Sequence, residues 1–449
     1  MKNKRSIQIL MTILYLFAIG NTPLVTAQEN FTLQIEAANI YALPPLHSYA
    51  HAQYNGKWLI LGGQTSEDEE FTHANLEVIV VDPAENKVWT MPSEELYGKI
   101  PSVEQLTSCY AQYHQEDGQF YLLGGYGYSP EYEGYLTFPY MTVIDLKGAI
   151  ESIIAHDFAK AGRYFHQVQD DYFGVMEGFL TKVKEEFYLV GGIEFYGFFD
   201  EENPTFSKVP RRDILKFKLE KNREGILEVK HTDSFNYSED FDEIMPTYVP
   251  QVFPDGKEGF SIFSNEALEG QNFASWLDYF EPGHSISWQR NAKIPHYHST
   301  IIPIFDKKSK LMHTIFLGGC DDFLCDTEDV YGALPEIDSM MQFTQKDVLP
   351  NELLQKKIEP FTNFGRDAKF LLNEQVPQYK NGVIKLNKLP EGKTQIGYIF
   401  GGASSVNPMI FQNGDILALA TNQVFNVYLT KKTKQPKVKS TPKVKPDID

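Results

Sequence analysis

Short apolar runs alternate with polar turns along the whole chain, and five of the runs end in the same pair of glycines. They read WLILGG (to Gly63), FYLLGG (to Gly125), FYLVGG (to Gly192), TIFLGG (to Gly319) and GYIFGG (to Gly402). Each run is rich in β-branched and aromatic residues, and no long helical heptads appear, so the pattern predicts strands rather than helices. A motif that returns at intervals is an internal repeat, which decides how the rest of the chain is divided.

The pairs begin at positions 62, 124, 191, 318 and 401, spaced by 62, 67, 127 and 83 residues. The long gap spans two periods, and midway through it lies EGFSIFSN (Glu258 to Asn265), a strand whose glycines have become Ser264 and Asn265. Six units result. Each opens with a short strand: SYAHAQY, SCYAQYH, FGVMEGFL, TYVPQVF, YHSTIIPIF or DAKFLL. A polar turn, the Gly-Gly strand and a long loop follow. A third strand comes next, such as LEVIVVDP or MTVIDL, and then a fourth, such as NKVWTMP or ISWQRNAKIP. Six units of four strands predict an all-β chain built as a six-bladed β-propeller. The two ends are complementary. VFNVYLT (Val424 to Thr430) looks like a third strand with no fourth, and FTLQIEAANIYAL precedes the first complete unit. Pairing them would let the N-terminal strand close the last blade and leave no free edge there.

At these residues the chain resembles the Kelch-repeat family, whose repeat has a Gly-Gly pair after an apolar strand, then a D-P-x-x-N-x-x-W turn and a Pro-containing link. The first unit matches through Gly62, Gly63, Asp82, Pro83, Asn86 and Trp89. The fourth keeps Tyr279, Pro282, Gly283 and Trp288 without the glycines, and the others keep the glycines without the Trp. The resemblance covers about residues 30 to 430 and implies a Kelch-like propeller of a secreted, bacterial type. The shared residues are structural, so the resemblance points to a fold and not to an activity.

The 25 Pro, 32 Gly and 14% aromatic content fit a turn-rich β protein. The net charge of −19 argues against nucleic acid as a partner, because phosphate binding needs clustered Lys and Arg. The N-terminus has Lys2, Lys4 and Arg5, then an apolar stretch from Ile7 to Ile19 and small residues ending at Ala27. That predicts a signal peptide over residues 1–27, hence a secreted, periplasmic or cell-surface location. No later segment is apolar enough to cross a membrane, so none is expected after cleavage. Residues 431–449 hold seven Lys and two Asp and predict a disordered Lys/Pro-rich tail. With +3 in the leader and +5 in the tail, the body (28–430) carries −27. Cys320 and Cys325 share one loop and could form a local disulfide or remain thiols, and their spacing with Cys109 matches no zinc pattern.

Propeller first strands line a central channel. One polar residue from each gives His51, Gln112, Glu177, Gln251, His298 and Asp367, with Arg366 and Lys369 beside the last. Such a ring would bind a small polar molecule or a metal, or it would simply be wetted by channel water. Glu177 and His298 are the candidates for an acid/base pair if they face one another. The loops after Gly-Gly, including YGYSPEYEGY and EFYGFFDEENP, combine carboxylates with aromatic rings. That mixture suits sugar rings, a protein partner or a solvated rim alike. DDFLCDTED lacks the regular spacing of a Ca²⁺ loop, and no G-x-S-x-G, H-E-x-x-H or phosphate-cradling glycine loop occurs. The expectation is a binding module for a glycan or protein ligand on the Gly-Gly face, with no metal and no cofactor. The alternative that the resemblance carries is a sugar epimerising enzyme similar to the Kelch-type sialic acid mutarotases. Six units fit a galactose-oxidase-like copper enzyme poorly, and a structural scaffold is a third class.

Overall fold

Second strands such as Lys57–Leu61 and Glu186–Val190 are apolar at nearly every position because both of their faces are covered, as expected of a strand packed between layers. In Lys57–Leu61 the alternate residues go to different neighbours: Leu59 and Leu61 pack with Phe120 and Leu122, whereas Trp58 and Ile60 pack with Leu371 and Phe400. The computed structural model that shows this describes residues 31–40, 42–65, 73–197, 206–236, 247–268, 272–280, 287–290, 298–319, 340–345, 356–358, 366–405 and 418–432. Of 236, 262–268, 272–280, 287–290, 340–345, 356–358, 404–405 and 418–419, only the backbone is described. The leader, the Cys320–Cys325 loop and the tail from 433 onward lie outside the described residues. Lys431, which the sequence assigns to the tail, is the last residue of a strand and pairs with Phe31.

The chain is all-β in outline, with most strands in antiparallel sheets. Sheet one holds Ala50–Tyr54, Lys57–Leu61, Glu77–Asp82 and Lys87–Pro92 in that order. Sheet two holds Gln112–Glu116, Gln119–Leu123, Tyr140–Asp145 and Phe165–Gln169, and sheet three holds Phe179–Val183, Glu186–Val190, Asp213–Lys221 and Leu227–Asn236. Sheet four holds Thr247–Val252, Glu258–Leu268, Asn272–Phe280 and Ser287–Arg290. Sheet five holds Thr300–Asp306, Leu311–Leu317, Met340–Gln345 and Lys356–Ile358, with Ile384–Lys385 added parallel to its first strand. Sheet six holds Lys369–Leu372, Gly392–Phe400, Val424–Lys431 and, at its edge, Phe31–Ala37. That N-terminal strand runs antiparallel to Val424–Lys431 over seven residue pairs, from Phe31↔Lys431 to Ala37↔Phe425.

Apolar clusters join each sheet to the next. Leu123 meets Leu180 and Phe187 between sheets two and three, and Tyr188 and Val190 meet Phe260 between three and four. Val252 meets Phe305 and Met312 between four and five, and Ile302 and Ile315 meet Ile396 and Ile399 between five and six. The cluster of Trp58 with Phe400 then joins sheet six back to sheet one. Burial of one such side chain is worth about 1.5–3 kcal/mol.

The glycine pairs sit at these junctions. Gly62, Gly124, Gly191, Gly318 and Gly401 have φ between 56° and 71°, and the second glycines have φ between 81° and 102°. A β-carbon on Gly62 would collide with the carbonyl oxygen of Ser108 in the chain leading into sheet two. Gly124 meets the Val175 carbonyl and Gly401 the Leu46 carbonyl in the same way. The second glycine then donates to that carbonyl, with Gly63, Gly125 and Gly402 each 2.9 Å from it. Sheet four supplies the contrast. Ser264 and Asn265 replace the glycines, and the strand runs on through them to Leu268 in one long hairpin with Asn272–Phe280.

Two features differ from the sequence reading. A helix, Leu146–Ile154, lies between the third and fourth strands of sheet two, capped by Asp145, whose carboxylate accepts from the Gly148 N–H at 2.9 Å. Its Leu146, Ala149, Ile150 and Ile153 fill the core shared by sheets one and two, at the 3.6-residue spacing of a buried helix face. Two of the loops after Gly-Gly are themselves folded: Tyr126–Ser129, Gly134–Thr137, Ile193–Tyr196 and Ser207–Pro210 form a further four-stranded sheet. Their aromatic residues pair with one another, as in Tyr126 with Phe195 at 5.2 Å and Tyr128 with Tyr135 at 5.4 Å.

The glycine contact predicts a graded pair of substitutions. Gly56, at φ +75° with open space around it, should lose about 1–2 kcal/mol as Gly56→Ala, the cost of a β-carbon in the left-handed region. Gly62→Ala must also displace sheet two and should lose about 2–5 kcal/mol. Urea denaturation of the two variants checks the order, and equal losses would mean that the close approach contributes nothing.

The edge strand predicts a second outcome. Deleting residues 31–42 uncovers the buried Val427 and Leu429 and should lower the melting temperature in calorimetry, whereas an unchanged temperature would show that this strand does not hold sheet six.

Candidate functional site

The chain turns sharply before five of the six first strands, and the turn residue there is not glycine. Ser48, Tyr110, Glu177, His298 and Asp367 have φ of 54°, 56°, 57°, 55° and 60°. Each stands two residues before a first strand, and Ser48, Tyr110 and Glu177 lie two residues beyond the junction carbonyls of Leu46, Ser108 and Val175. Backbone bonds link these turn residues from sheet to sheet. Tyr110 N–H donates to Ser48 O at 3.0 Å, Glu177 N–H to Tyr110 O at 3.0 Å, and Asp367 N–H to His298 O at 2.8 Å. A non-glycine residue in this conformation costs roughly 1–2 kcal/mol, so five at one level are held there by the surrounding structure.

All five line one cavity of about 740 Å³, whose walls include residues from the first strands of all six sheets. The second strand of each sheet runs antiparallel to the first, so the Gly-Gly pairs lie at the same end as these turns.

The strand pairing corrects the shared register expected for the six polar residues. Glu177, His298 and Asp367 do occupy equivalent positions. Gln112 lies two residues further into its strand than the equivalent Tyr110, and His51 three further than the equivalent Ser48. Both still line the cavity, at deeper levels. Gln251 lies six residues on from the equivalent position, at the other end of its strand; it is buried and does not line the cavity. The error arose because alternation along a strand gives the face and not the level, and the left-handed turn that sets the level leaves no glycine to mark it. Ser48 and Tyr110 were missed for the same reason: a Ser and a Tyr before a strand look like ordinary lead-in residues.

His298 Nδ1 lies 2.9 Å from Asp367 Oδ1. Burial alone would push the Asp367 carboxyl up, but the charges of His298, Lys369 and His47, with the His298 hydrogen bond, hold it below the usual carboxylate range. The Tyr110 ring stands 6.0 Å from the His298 ring, at 61°. Burial pushes its phenol well above the ordinary value, and the Asp367, Cys109 and Glu177 charges add to that, so Tyr110 remains a neutral hydrogen-bonding group. Burial likewise pushes the Cys109 thiol up, reinforced by Glu177, so this cysteine is not a poised nucleophile. Deeper in the cavity His51 Nδ1 is 3.0 Å from the Tyr113 hydroxyl. Burial and the nearby Lys369 charge lower the His51 pKa to about 3.

The carboxylate beside Nδ1 fixes the orientation of the His298 ring, which suits that imidazole to proton exchange with a bound molecule. Its direct partner is Asp367, where the sequence had suggested Glu177; Glu177 shares the same end of the cavity. Among the described residues, no group of three or more His, Cys, Asp or Glu is placed to hold a metal ion. No helix among them is long and apolar enough to cross a membrane. The DDFLCDTED segment lies outside the described residues.

No family model and no curated protein matches the chain. Among solved structures the chain is similar to YjhT, with a TM-score of 0.47 and 11% identity over 85% of this chain and 99% of that one. At that distance nothing about a ligand or an activity passes from one protein to the other.

The buried imidazoles predict an acid limb in stability. His114 is also held low, at about 4, mainly by burial, with Glu116 opposing and Lys182 assisting. Both His51 and His114 are neutral in the folded chain, whereas in the unfolded chain they titrate near 6.5. The unfolded state therefore binds protons first, and stability should fall as pH drops from about 6.5 towards 4. His114→Phe, placed among Tyr121 and Phe187, should flatten that fall. Urea denaturation at pH 7, 5.5 and 4.5 measures it, and a slope equal to that of the wild type would clear His114.

Proposed function

We propose that the chain is a secreted, six-bladed β-propeller of the Kelch kind, and that it binds a small polyhydroxylated ligand, a glycan or its terminal sugar, at the Gly-Gly end of its axial cavity. The cyclic packing of six sheets around one cavity supports the architecture, and the leader-like N-terminus supports the location. One observation carries the ligand reading: Glu177, His298 and Asp367 reach the same end of the cavity from equivalent backbone positions. A cavity of this size admits a sugar and excludes a folded protein. Sugar hydroxyls match the available groups, because carboxylates accept from them while Lys369, Tyr110 and Ser48 donate. This favours a glycan over the protein ligand that the loop composition alone left open.

A second reading, proton transfer at a sugar, is supported by the His298–Asp367 pair. An imidazole oriented by a carboxylate, with Glu177 at the same level, is a competent acid and base for opening and closing a hemiacetal ring. Binding is common to both readings, and turnover separates them.

A glycan array, followed by calorimetric titration of the best ligand, tests the proposal. Glu177→Gln keeps the shape and removes the charge. It should weaken binding about tenfold or more, the value of a hydrogen bond to a charged group, with melting behaviour retained. Identical binding by the two proteins would leave Glu177 as a residue of a merely wet channel. Faster anomer exchange in the NMR spectrum of the bound sugar, lost in His298→Gln, would establish the enzyme, and saturable binding without exchange the module.

A further inference from the structure

The first and second strands of sheets one, two and three are joined by two-residue turns, Asn55–Gly56, Asp117–Gly118 and Lys184–Glu185. In sheet six the same connection is nineteen residues long, from 373 to 391. It does not project into solvent. Val383, Ile384 and Leu386 within it are at most 1% exposed.

The segment touches sheets one, two, four and five. Glu374 accepts from Gly56 N–H of sheet one at 2.8 Å. Lys380 Nζ lies 2.8 Å from Glu116 of sheet two, and the same carboxylate binds Lys182 of sheet three at 2.9 Å. Asn381 Nδ2 donates to Gln251 O at 2.8 Å and to Gly259 O at 3.3 Å in sheet four, and its N–H donates to Glu258 at 2.9 Å. Ile384–Lys385 runs beside Ile304 and Phe305 of sheet five. Glu116, Gln251 and Ile304 each stand four residues past the start of their first strand, so all three contacts are made at one level, the end of the cavity away from the Gly-Gly pairs. Tyr379, Lys380, Asn381 and Gly382 line the cavity there.

We infer that residues 373–391 form a fixed floor across the axial cavity, pinned by Asn381 to sheet four and by Lys380 to sheet two. The floor sets the depth of the cavity and leaves the Gly-Gly end as its mouth among the described residues. For a ligand bound at Glu177 and His298, it limits how much of the molecule passes beyond His51; the floor itself does not depend on that ligand. It also gives Gln251 a role, since its carbonyl receives the amide of Asn381.

Hydrogen exchange read by mass spectrometry on the full chain tests the floor without any ligand. In the wild type, peptides over 376–386 should exchange at least about a hundredfold more slowly than a free chain, as a packed segment does. Asn381→Ala removes the side-chain bonds to Gln251 and Gly259, with the one its Oδ1 accepts from Val383 N–H, and should speed their exchange about tenfold, leaving Gly392–Phe400 unchanged. Lys380→Met removes an exposed partner and should act in the same direction by about threefold or less. Asn381→Asp, which also removes the donors, replaces the alanine variant if that one does not fold. Free-chain exchange of 376–386 in the wild type would overturn the floor. So would a rate left unchanged by loss of the Asn381 amide. Neither result bears on whether Glu177 binds a sugar.

Discussion

Where one sheet meets the next, the backbone of one comes too close to a carbonyl of the other for any β-carbon. That contact governs both the fold and the site. Gly62 and Gly63 close on Ser108, Gly124 and Gly125 on Val175, and Gly401 and Gly402 on Leu46. The first glycine permits the approach and the second makes the hydrogen bond. Two residues beyond each of those carbonyls stands a left-handed residue: Tyr110, Glu177 or Ser48. The glycines thus fix the height of the residue that faces the cavity. A side chain at Gly124 would push the neighbouring sheets apart and also displace Glu177, because the Val175 carbonyl that it would strike belongs to the same turn.

The mouth of the cavity is costly in free energy. Each left-handed non-glycine residue costs roughly 1–2 kcal/mol, and an unpaired buried charge costs more than that. The structure meets the second cost by pairing. Asp367 has His298 at hydrogen-bond distance and the charge of Lys369 two residues along the chain, and its carboxyl stays ionised. A buried ion pair is weak evidence of stabilisation, since apolar residues of similar volume generally do as well or better. Ile399 and Val427 show that this sheet accommodates apolar residues readily elsewhere. Charged residues in strained turns at one end of a cavity are therefore better explained by something they contact than by the stability of the fold.

The repeat was legible because the sheet junction tolerates only glycine and so stamps the same dipeptide on five units. The fourth unit was legible from spacing alone, and its strand shows what happens without the stamp: pairing continues through Ser264 and Asn265. The site was half legible. Composition along the first strands found Glu177, His298 and Asp367, but not their neighbours Ser48 and Tyr110. It placed Gln251 at the wrong end, since one polar residue per strand carries no information about height. The helix from Leu146 to Ile154 had a readable signature in Asp145 and the apolar residues at 146, 149, 150 and 153, obscured by the strand that runs directly into it. The extra sheet of the tyrosine-rich loops had none, because its strands are four residues long and pair across two different units.

Sheet six joins the two ends of the described chain. From sheet one to sheet five the chain passes directly from each sheet into the next, so neighbours are tied covalently as well as by packing. Sheet six is built from both ends of the described chain, and its outer strand, Phe31–Ala37, leads into sheet one. Seven backbone pairs and the burial of Phe31, Val427 and Leu429 therefore carry a load that the chain itself bears elsewhere. The crossing segment 373–391 starts from the same sheet and reaches sheets one, two, four and five at the opposite end of the cavity. One device acts at the outer edge of sheet six and the other across the far end of the cavity. Sheet six is thus tied to sheet one through its edge strand and to sheets two, four and five through the crossing segment, and these ties hold the polar residues of the cavity between them at fixed heights.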